Sequence, residues 1–346
     1  MAEQILVAES VAKHYPLKGA GFSRRKGRVR AVEDVSLSVT AGEVFGLVGE
    51  SGCGKSTLGR ALLRLEDPTA GRVFFNGANI AAFGRTRLKQ FRREAQIIYQ
   101  DPYSSLNPRR QIGDLIAEPL DIHRVGTPAE RRERVAWLLK VVGLLPEHGR
   151  LYPHEFSGGQ RQRIVIARAL TLNPMLLLAD EPVSALDVSI QAQVLNLLKQ
   201  LQRELGLTYL FVAHNMGVVE HISDRVAVMY LGRVAELGER RALFATQEHP
   251  YTLALMSAIP VPDPTVRRTR IILKGDVPSP VNPPSGCRFH PRCPLREQLG
   301  NPAICAEAIP TLVTLDGDHQ VACHFRGPGA PALPASATTA TVLRPS

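Results

Sequence analysis

A glycine-rich loop is the part of the sequence whose residue spacing most strongly indicates chemistry. GESGCGKST, Gly49–Thr57, follows an apolar run that predicts a strand, Glu43–Val48, and a helical pattern begins at Lys55. The backbone N–H groups of such a loop converge on phosphate oxygens, and the helix N-terminus adds positive potential. We therefore predict a Mg·ATP site in which Lys55 reaches the β- and γ-phosphates and the Ser56 hydroxyl reaches Mg²⁺. The predicted nucleotide-binding residues of this loop are Gly49, Glu50, Ser51, Gly52, Cys53, Gly54, Lys55, Ser56 and Thr57.

Two adjacent carboxylates follow a second apolar strand, Met175–Ala179. Neighbouring residues of a strand point in opposite directions, so Asp180 and Glu181 can take different tasks. We predict that Asp180 holds Mg²⁺ and that Glu181 polarises the attacking water. An acidic pair on an exposed surface is the alternative, and the position directly after an apolar strand favours function.

The sequence SGGQ (Ser157, Gly158, Gly159 and Gln160) lies within the stretch Tyr152–Leu170. Ser157 can cap a helix, and the two glycines allow close approach to an anion at its N-terminus. This stretch resembles the signature motif of the ATP-binding cassette (ABC) ATPases.

Further elements of that family follow in the family's order. Tyr15 resembles the aromatic residue that stacks on adenine, Gln100 the Q-loop, Ser184–Asp187 the D-loop and His214 the switch histidine. Each of them alone has an ordinary structural explanation, and their shared order favours function. The resemblance implies that Glu181, His214 and Gln100 are catalytic and that Ser56, Gln100 and Asp180 bind Mg²⁺.

The resemblance also implies a head-to-tail dimer, in which ATP bound at Lys55 of one subunit meets Ser157 and Gly159 of the other. Gln96–Arg109 and Glu248–Thr252 are similar to the oligopeptide/dipeptide importer ATPases of bacteria, and FSGGQRQR resembles the F-type subunit more than the D-type. The implied partners are a second, D-type ABC ATPase, two transmembrane permeases and an external solute-binding protein. Asn215 stands where family members commonly carry Asp. We expect hydrolysis to survive this difference.

A formal net charge of +10 suits contact with polyanions such as nucleic acid or the anionic face of a membrane. An ABC ATPase acting on nucleic acid is therefore the alternative function. One P-loop and one signature motif favour the importer, with no direct nucleic-acid contact. The sequence shows no apolar run of membrane-spanning length and no signal-peptide pattern. The predicted location is the cytoplasmic face of the bacterial inner (plasma) membrane, as a peripheral subunit.

Four cysteines fall in the last part of the chain, with gaps of five, eleven and seventeen residues between Cys287, Cys293, Cys305 and Cys323. Four thiolates are the usual ligands of a [4Fe–4S] cluster or a structural zinc. The resemblance to peptide-importer ATPases implies a [4Fe–4S] cluster held by these residues. Zinc and four free thiols remain alternatives, and three nearby histidines could replace a thiolate: His290, His319 and His324.

Strands that alternate with helices predict an α/β fold. The expected architecture is a P-loop (RecA-like), mostly parallel sheet core with an antiparallel β subdomain, an inserted helical subdomain at about 101–170 and a small C-terminal metal-binding unit. The predicted domains are a nucleotide-binding domain at 1–250, a C-terminal oligopeptide-transporter-type domain at 251–326 and a disordered tail at 327–346, rich in small residues and proline.

Overall fold

The computed structural model describes residues 3–17, 27–259 and 270–331, so most of the predicted disordered tail lies outside the described residues. The strands are β1 (Gln4–Pro16), β2 (Arg28–Thr40), β3 (Val44–Val48), β4 (Ala70–Phe75), β5 (Ala78–Asn79), β6 (Ala95–Ile98), β7 (Leu176–Asp180), β8 (Thr208–Ala213), β9 (Arg225–Tyr230), β10 (Arg233–Glu239), β11 (Val313–Thr314) and β12 (Gln320–Val321). The α-helices are α1 (Lys55–Leu62), α2 (Arg85–Glu94), α3 (Pro102–Ser105), α4 (Ile112–His123), α5 (Pro128–Val141), α6 (Gly158–Ala169), α7 (Val188–Leu205), α8 (Met216–Ile222), α9 (Arg240–Ala245), α10 (Pro250–Ser257), α11 (Pro294–Gln298) and α12 (Ile304–Glu307). In the described part of the chain, no helix combines the length and apolar character needed to cross a membrane.

The chain divides into two compact units, each assembled from separate pieces of the sequence. Unit 1 comprises Met1–Leu6, Val39–Val44 and Phe75–Ala213. Unit 2 comprises Val7–Ser38, Phe45–Phe74 and His214–Ser346.

Unit 1 contains three parallel strands in the order β6–β7–β8, with Leu176 of β7 opposite both Ala95 and Thr208. Every residue of β7 and β8 is buried, as expected of strands covered on both faces. Helices α4, α5 and α6 contact one another within this unit and form the helical region that the sequence predicts at about 101–170.

The strands of unit 2 are mixed in direction. β3 and β9 run parallel, whereas β9, β10, β12 and β11 pair antiparallel in that order. Leu231 and Gly232 join β9 to β10, and both have positive φ angles, 44° and 81°. A two-residue turn of this kind reverses the chain at once and therefore forces antiparallel pairing. The parallel core predicted from the sequence thus acquires an antiparallel edge.

The first strands form a separate four-stranded sheet in the order β2–β1–β4–β5, and most of β2, β1 and β4 belongs to unit 2. Hydrogen bonds across the β2–β1 pair and the β1–β4 pair join residues whose numbers rise on one strand and fall on the other, so these two pairs are antiparallel. These bonds join Leu17 to Gly27, Ala41 to Glu3, Thr69 to Ala12 and Asn76 to Ile5. The sheet corresponds to the predicted antiparallel β subdomain.

Candidate nucleotide-binding site

The glycine-rich loop lies in unit 2 between β3 and α1, and its shape requires glycine at two positions. A Cβ on Gly49 would lie 2.2 Å from the Met229 carbonyl oxygen, and a Cβ on Gly54 would lie 2.1 Å from the Ala31 carbonyl oxygen. Gly54 also has a φ of 105°, which side-chain-bearing residues rarely adopt. The loop is therefore held against neighbouring backbone at both ends.

Lys55 is the first residue of α1, and its side chain turns back over the loop. Its Nζ donates hydrogen bonds to the carbonyl oxygens of Gly49 at 2.8 Å and Glu50 at 3.1 Å, and Lys55 is only 4% exposed. A fixed ammonium group beside backbone N–H donors suits a phosphate group. Burial raises the pKa of the neighbouring Cys53 thiol, which fits a small, neutral side chain at this position.

Tyr15 lies beside the end of the same loop. Its hydroxyl hydrogen-bonds with the Glu66 carboxylate and with the Thr57 side chain, and Lys13 Nζ lies 5.1 Å from the centre of its ring. Burial, followed by the hydrogen bond to Glu66, raises the pKa of Tyr15. The structure thus places this predicted adenine-stacking residue next to the phosphate loop.

Unit 1 brings together three residues that the sequence assigned to separate motifs. Gln100 Nε2 lies 3.1 Å from Glu181 Oε2 and 3.4 Å from Ser184 Oγ, and Ser184 Oγ donates to the Glu181 carbonyl at 3.1 Å. Glu181 has a φ of 49°, and its N–H donates to the Val212 carbonyl at 3.0 Å. A non-glycine residue in this conformation costs on the order of 1 kcal/mol, and such strain occurs preferentially at functional sites.

Asp180 is the last residue of β7 and is buried. Its position at the carboxyl end of a parallel strand is where ligands of open α/β sheets bind.

The SGGQ sequence begins α6, and the predicted helix cap is confirmed. Ser157 Oγ accepts the Gln160 N–H at 3.4 Å, while Gln160 Oε1 accepts the Ser157 N–H at 3.0 Å. Ser157 is exposed at the N-terminus of this helix. A Cβ on Gly159 would lie 2.5 Å from Ile190 Cγ2, so the glycine lets α6 and α7 pack closely.

His214 directly follows β8 and is exposed. Asn215 caps α8, because its Oδ1 accepts the Gly217 N–H at 2.8 Å. Asn and Asp are equally good N-caps, so the departure at Asn215 keeps the start of this helix intact. Among the predicted site residues, the loop, Tyr15 and His214 fall in unit 2, and Gln100, Asp180, Glu181 and the SGGQ sequence fall in unit 1.

The prediction of a [4Fe–4S] cluster, and with it that of a C-terminal metal-binding unit, is wrong. Among the described residues, no group of three or more His, Cys, Asp or Glu side chains could hold a metal ion, which also removes the zinc alternative. The four cysteines line a cavity of about 20 Å³, which has room for about one water molecule. Burial raises the pKa of Cys287 to about 11 and that of Cys293 to about 12, so both thiols are protonated at neutral pH in the metal-free chain.

The nearby histidines are also engaged elsewhere. His290 Nδ1 lies 2.9 Å from the Cys287 carbonyl, and His324 Nε2 lies 2.9 Å from the Ala308 carbonyl. His319 Nε2 lies 2.7 Å from Glu236 Oε1. None of the four cysteines is part of a disulfide.

Strand pairing and aromatic packing hold the cysteine-bearing segment in unit 2. Val321 of β12 pairs with Glu236 of β10, so the segment extends a sheet of unit 2. Phe289 is 2% exposed, and its ring lies 5.1 Å from that of Tyr230 and 5.4 Å from that of Tyr251. Burial of these large aromatic side chains stabilises the packing of the segment.

Two residues near the phosphate loop were not predicted from the sequence. The Tyr251 hydroxyl accepts the Glu50 N–H at 2.9 Å, and Arg292 Nη1 lies 2.9 Å from Glu50 Oε2. Tyr251 belongs to the Glu248–Thr252 motif, which indicated family membership without indicating a contact. Arg292 stands between two cysteines and gave no signal of its own.

The start of α10 depends on a neutral histidine. His249 Nδ1 accepts the Tyr251 N–H at 3.0 Å, and Glu236 accepts the backbone N–H of His249 at 3.0 Å. Burial lowers the pKa of His249 from 6.5 to about 4, the Glu236 charge acting in the opposite direction. Protonation would remove the acceptor that caps the helix.

We expect the free energy of unfolding to fall by about 2 kcal/mol between pH 7.5 and pH 5 because of His249. The folded pKa is depressed, so the unfolded chain binds more protons below pH 6.5, and stability is lost as the pH falls from there toward 4. His319 acts oppositely: its raised pKa gives stability that is present below pH 6.5 and lost as the pH rises through that raised value.

Urea unfolding at a series of pH values measures this effect, and His249→Asn, which keeps a capping oxygen, is the comparison. The variant should lose the acid-dependent part and retain the part that comes from His319. Equal pH profiles of the parent and the variant would contradict the assignment.

Comparison with known proteins agrees with this architecture. The family model for ABC transporters matches residues 32–184, and the model for the oligopeptide/dipeptide transporter C-terminal region matches residues 235–299. The solved dimeric structure of the ATP-binding cassette MJ0796 in a post-hydrolysis state, bound to ADP and Pi, superposes with a TM-score of 0.60 at 29% identity, over 68% of this chain and 99% of that one. Fold and site together define an ATPase cassette of the ABC class.

Two similar proteins indicate which family of ABC ATPases this chain belongs to. The probable peptide ABC transporter ATP-binding protein y4tS of Sinorhizobium fredii is 54% identical, over 96% of this chain and 93% of the relative. The oligopeptide transport ATP-binding protein AppF of Bacillus subtilis is 52% identical, over 93% of this chain and 98% of the relative. This chain belongs to the family of peptide ABC transporter ATP-binding proteins, which favours a transport ATPase over the nucleic-acid alternative.

Proposed function

We propose that this chain is the ATP-hydrolysing motor subunit of a bacterial importer that takes up oligopeptides or dipeptides. The observation that carries the proposal is that one chain joins the cassette residues to a C-terminal region of the oligopeptide/dipeptide transporter type. Identity to peptide transport ATP-binding proteins extends over 96% of its length.

The phosphate loop is the proposed ATP site. A buried ammonium group on Lys55 and backbone N–H groups shaped by Gly49 and Gly54 fit a triphosphate, and the Tyr15 ring beside the loop is the proposed stacking surface for adenine. Ser56, Gln100 and Asp180 are the proposed Mg²⁺ ligands, because their side chains carry the oxygen donors that Mg²⁺ prefers. The ion, when bound, neutralises negative charge on the phosphates.

Hydrolysis is assigned to three residues. Glu181 is the proposed base that orients and polarises the attacking water, held by Gln100 at 3.1 Å. Gln100 senses the γ-phosphate, and His214 is the proposed switch residue. The assignment is supported by the contact between Glu181 and Gln100 and by the strained backbone of Glu181.

The composite site is proposed to form between two cassettes. Ser157, Gly158, Gly159 and Gln160 of one subunit face ATP held by the loop of the other. The exposed, capped N-terminus of α6 supports this role, because it offers backbone N–H groups to an anion. ATP binding then closes the dimer, and hydrolysis reopens it.

The proposed assembly contains a second, D-type ATPase, two permeases and an external solute-binding protein. We place this subunit peripherally on the cytoplasmic face of the bacterial inner membrane. The domain boundaries at 250 and 326 stay predictions, with a nucleotide-binding domain before the first and a transporter-type domain between them.

The test is reconstitution of the chain with its permeases, companion ATPase and binding protein in lipid vesicles. Uptake of a labelled oligopeptide should require ATP on the side of this subunit and should stop with Lys55→Ala. Tagged chain recovered from detergent-solubilised membranes should carry the permeases with it. Recovery with DNA or ribosomes and without permeases would contradict the proposal.

A further inference from the structure

Glu50, the second residue of the phosphate loop, is held on both its backbone and its side chain by the C-terminal part of unit 2. Its N–H donates to the Tyr251 hydroxyl at 2.9 Å. Its two carboxylate oxygens accept from the two Nη atoms of Arg292, at 2.9 and 3.4 Å. A guanidinium group that meets a carboxylate through both nitrogens fixes orientation as well as charge.

Both partners of Glu50 are rigidly placed. Tyr251 is fully buried, with its ring 4.7 Å from that of Tyr230. The side chain of Arg292 is 9% exposed, and its Nη1 also donates to the Tyr230 hydroxyl at 3.4 Å. Phe289 packs edge-on against Tyr230 at 5.1 Å. Packing among Tyr230, Tyr251 and Phe289 therefore holds in place the two side chains that contact Glu50.

The peptide groups on both sides of Glu50 are also engaged. Its N–H is taken by Tyr251, and its carbonyl accepts from Lys55 Nζ at 3.1 Å. The same lysine amine is the group that we assign to the phosphates of ATP. A change in the position of Glu50 is therefore transmitted directly to Lys55.

Charge adds a second effect. The Glu50 carboxylate lies in a loop that must accept a triphosphate, and an uncompensated negative charge there repels the ligand. Arg292 compensates it through a partly buried pair, whose side chains are 9% and 26% exposed, so solvent screens the pair less than it would a fully exposed one.

We propose that Arg292 and Tyr251 are positioning residues for ATP binding, and that the C-terminal region sets nucleotide affinity through Glu50. The proposal rests on the assignment of the phosphate loop as the ATP site. It gives this region, which includes the cysteine-bearing segment, a role inside the cassette.

The test measures the affinity of the full-length chain for a Mg²⁺-bound, non-hydrolysable ATP analogue by calorimetric titration. Arg292→Met keeps the aliphatic stem and removes the charge, and Tyr251→Phe removes only the hydroxyl. Each should raise the dissociation constant about 5- to 10-fold, the loss expected for one hydrogen bond to a charged or buried partner. In the assembled transporter, KM for ATP should rise while kcat changes less than about twofold.

A matched control and a double-mutant cycle separate positioning from general stability. Arg296→Met removes a nearby guanidinium group whose Nη1 bonds to the His290 carbonyl at 3.5 Å, and it should leave affinity unchanged. In a Glu50→Gln background, Arg292→Met should shift affinity less than about twofold, because its partner charge is already gone.

Two results overturn the inference. One is a lower melting temperature with unchanged affinity in both Arg292→Met and Tyr251→Phe. The other is full additivity of Arg292→Met with Glu50→Gln. If Arg292→Met does not fold, Tyr251→Phe alone decides by the same affinity criterion. Lys55→Ala in the same titration separates the ATP-site assignment from the positioning role. If Lys55→Ala binds the analogue as tightly as the parent, the ATP-site assignment fails. If Lys55→Ala loses binding while Arg292→Met and Tyr251→Phe keep normal affinity, only the positioning role is refuted.

Discussion

Glu181→Gln is expected to lower the rate of ATP hydrolysis by about 10²- to 10³-fold while ATP binding is retained. Glutamine has the same shape but cannot accept a proton from water at neutral pH. The strained backbone at Glu181, with a φ of 49°, and its contact with Gln100 should persist, because neither depends on the carboxylate being a base. With hydrolysis blocked, Mg·ATP should hold this subunit and its companion ATPase in a closed dimer.

Phosphate release measures the rate, and size-exclusion chromatography with and without Mg·ATP measures closure. Glu204→Gln is the matched control, because Glu204 is an exposed glutamate of unit 1 whose Oε1 pairs with Gln200. It should hydrolyse ATP at the parental rate. Parental hydrolysis by Glu181→Gln would show that another group activates the water.

Lys55→Ala is expected to abolish ATP turnover through loss of binding. The substitution removes a buried ammonium group that bonds to the Gly49 and Glu50 carbonyls, so it deletes the charge offered to the phosphates and also releases the loop. Affinity for Mg·ATP should fall at least about tenfold, since hydrogen bonds between charged groups are among the strongest in proteins.

Glu181→Gln and Lys55→Ala should therefore differ in ATP binding, although both should lose ATP turnover. Titration with ATP should show binding by Glu181→Gln and little binding by Lys55→Ala. Lys274→Ala is the control for loss of a lysine, because its side chain is 78% exposed and pairs with Glu297 outside the loop. Normal ATP affinity in Lys55→Ala would move the phosphate site away from Gly49–Thr57.

Local elements were predictable because their causes are local. The strand predicted at Glu43–Val48 is β3 (Val44–Val48), and the strand predicted at Met175–Ala179 is β7 (Leu176–Asp180). The SGGQ helix start was predicted from a serine that can cap a helix. The structure adds that Gln160, three residues later, bonds back to Ser157, so that the pair satisfies two N–H groups at once.

The prediction of a metal cluster at the four cysteines failed because it assumed how the sulfur atoms are arranged in space. Neither the spacing of the cysteines nor the family resemblance specifies that arrangement. The thiols do converge on one small cavity, yet they form no metal site and are protonated by burial. Spacing in the sequence reports neither the cavity volume nor the directions in which the sulfur atoms point.

By itself the sequence determined the phosphate loop, the paired carboxylates, the capped signature helix and the family, because each is written in residues that are neighbours along the chain. Tertiary structure alone decided the contact of Gln100 with Glu181, the antiparallel edge of the sheet and the ion pair between Arg292 and Glu50. Arg292 and Glu50 are 242 positions apart, and such a pair meets only after strands and aromatic side chains have packed. Sequence patterns report backbone preference and burial, whereas long-range side-chain pairs depend on the packing of the whole chain.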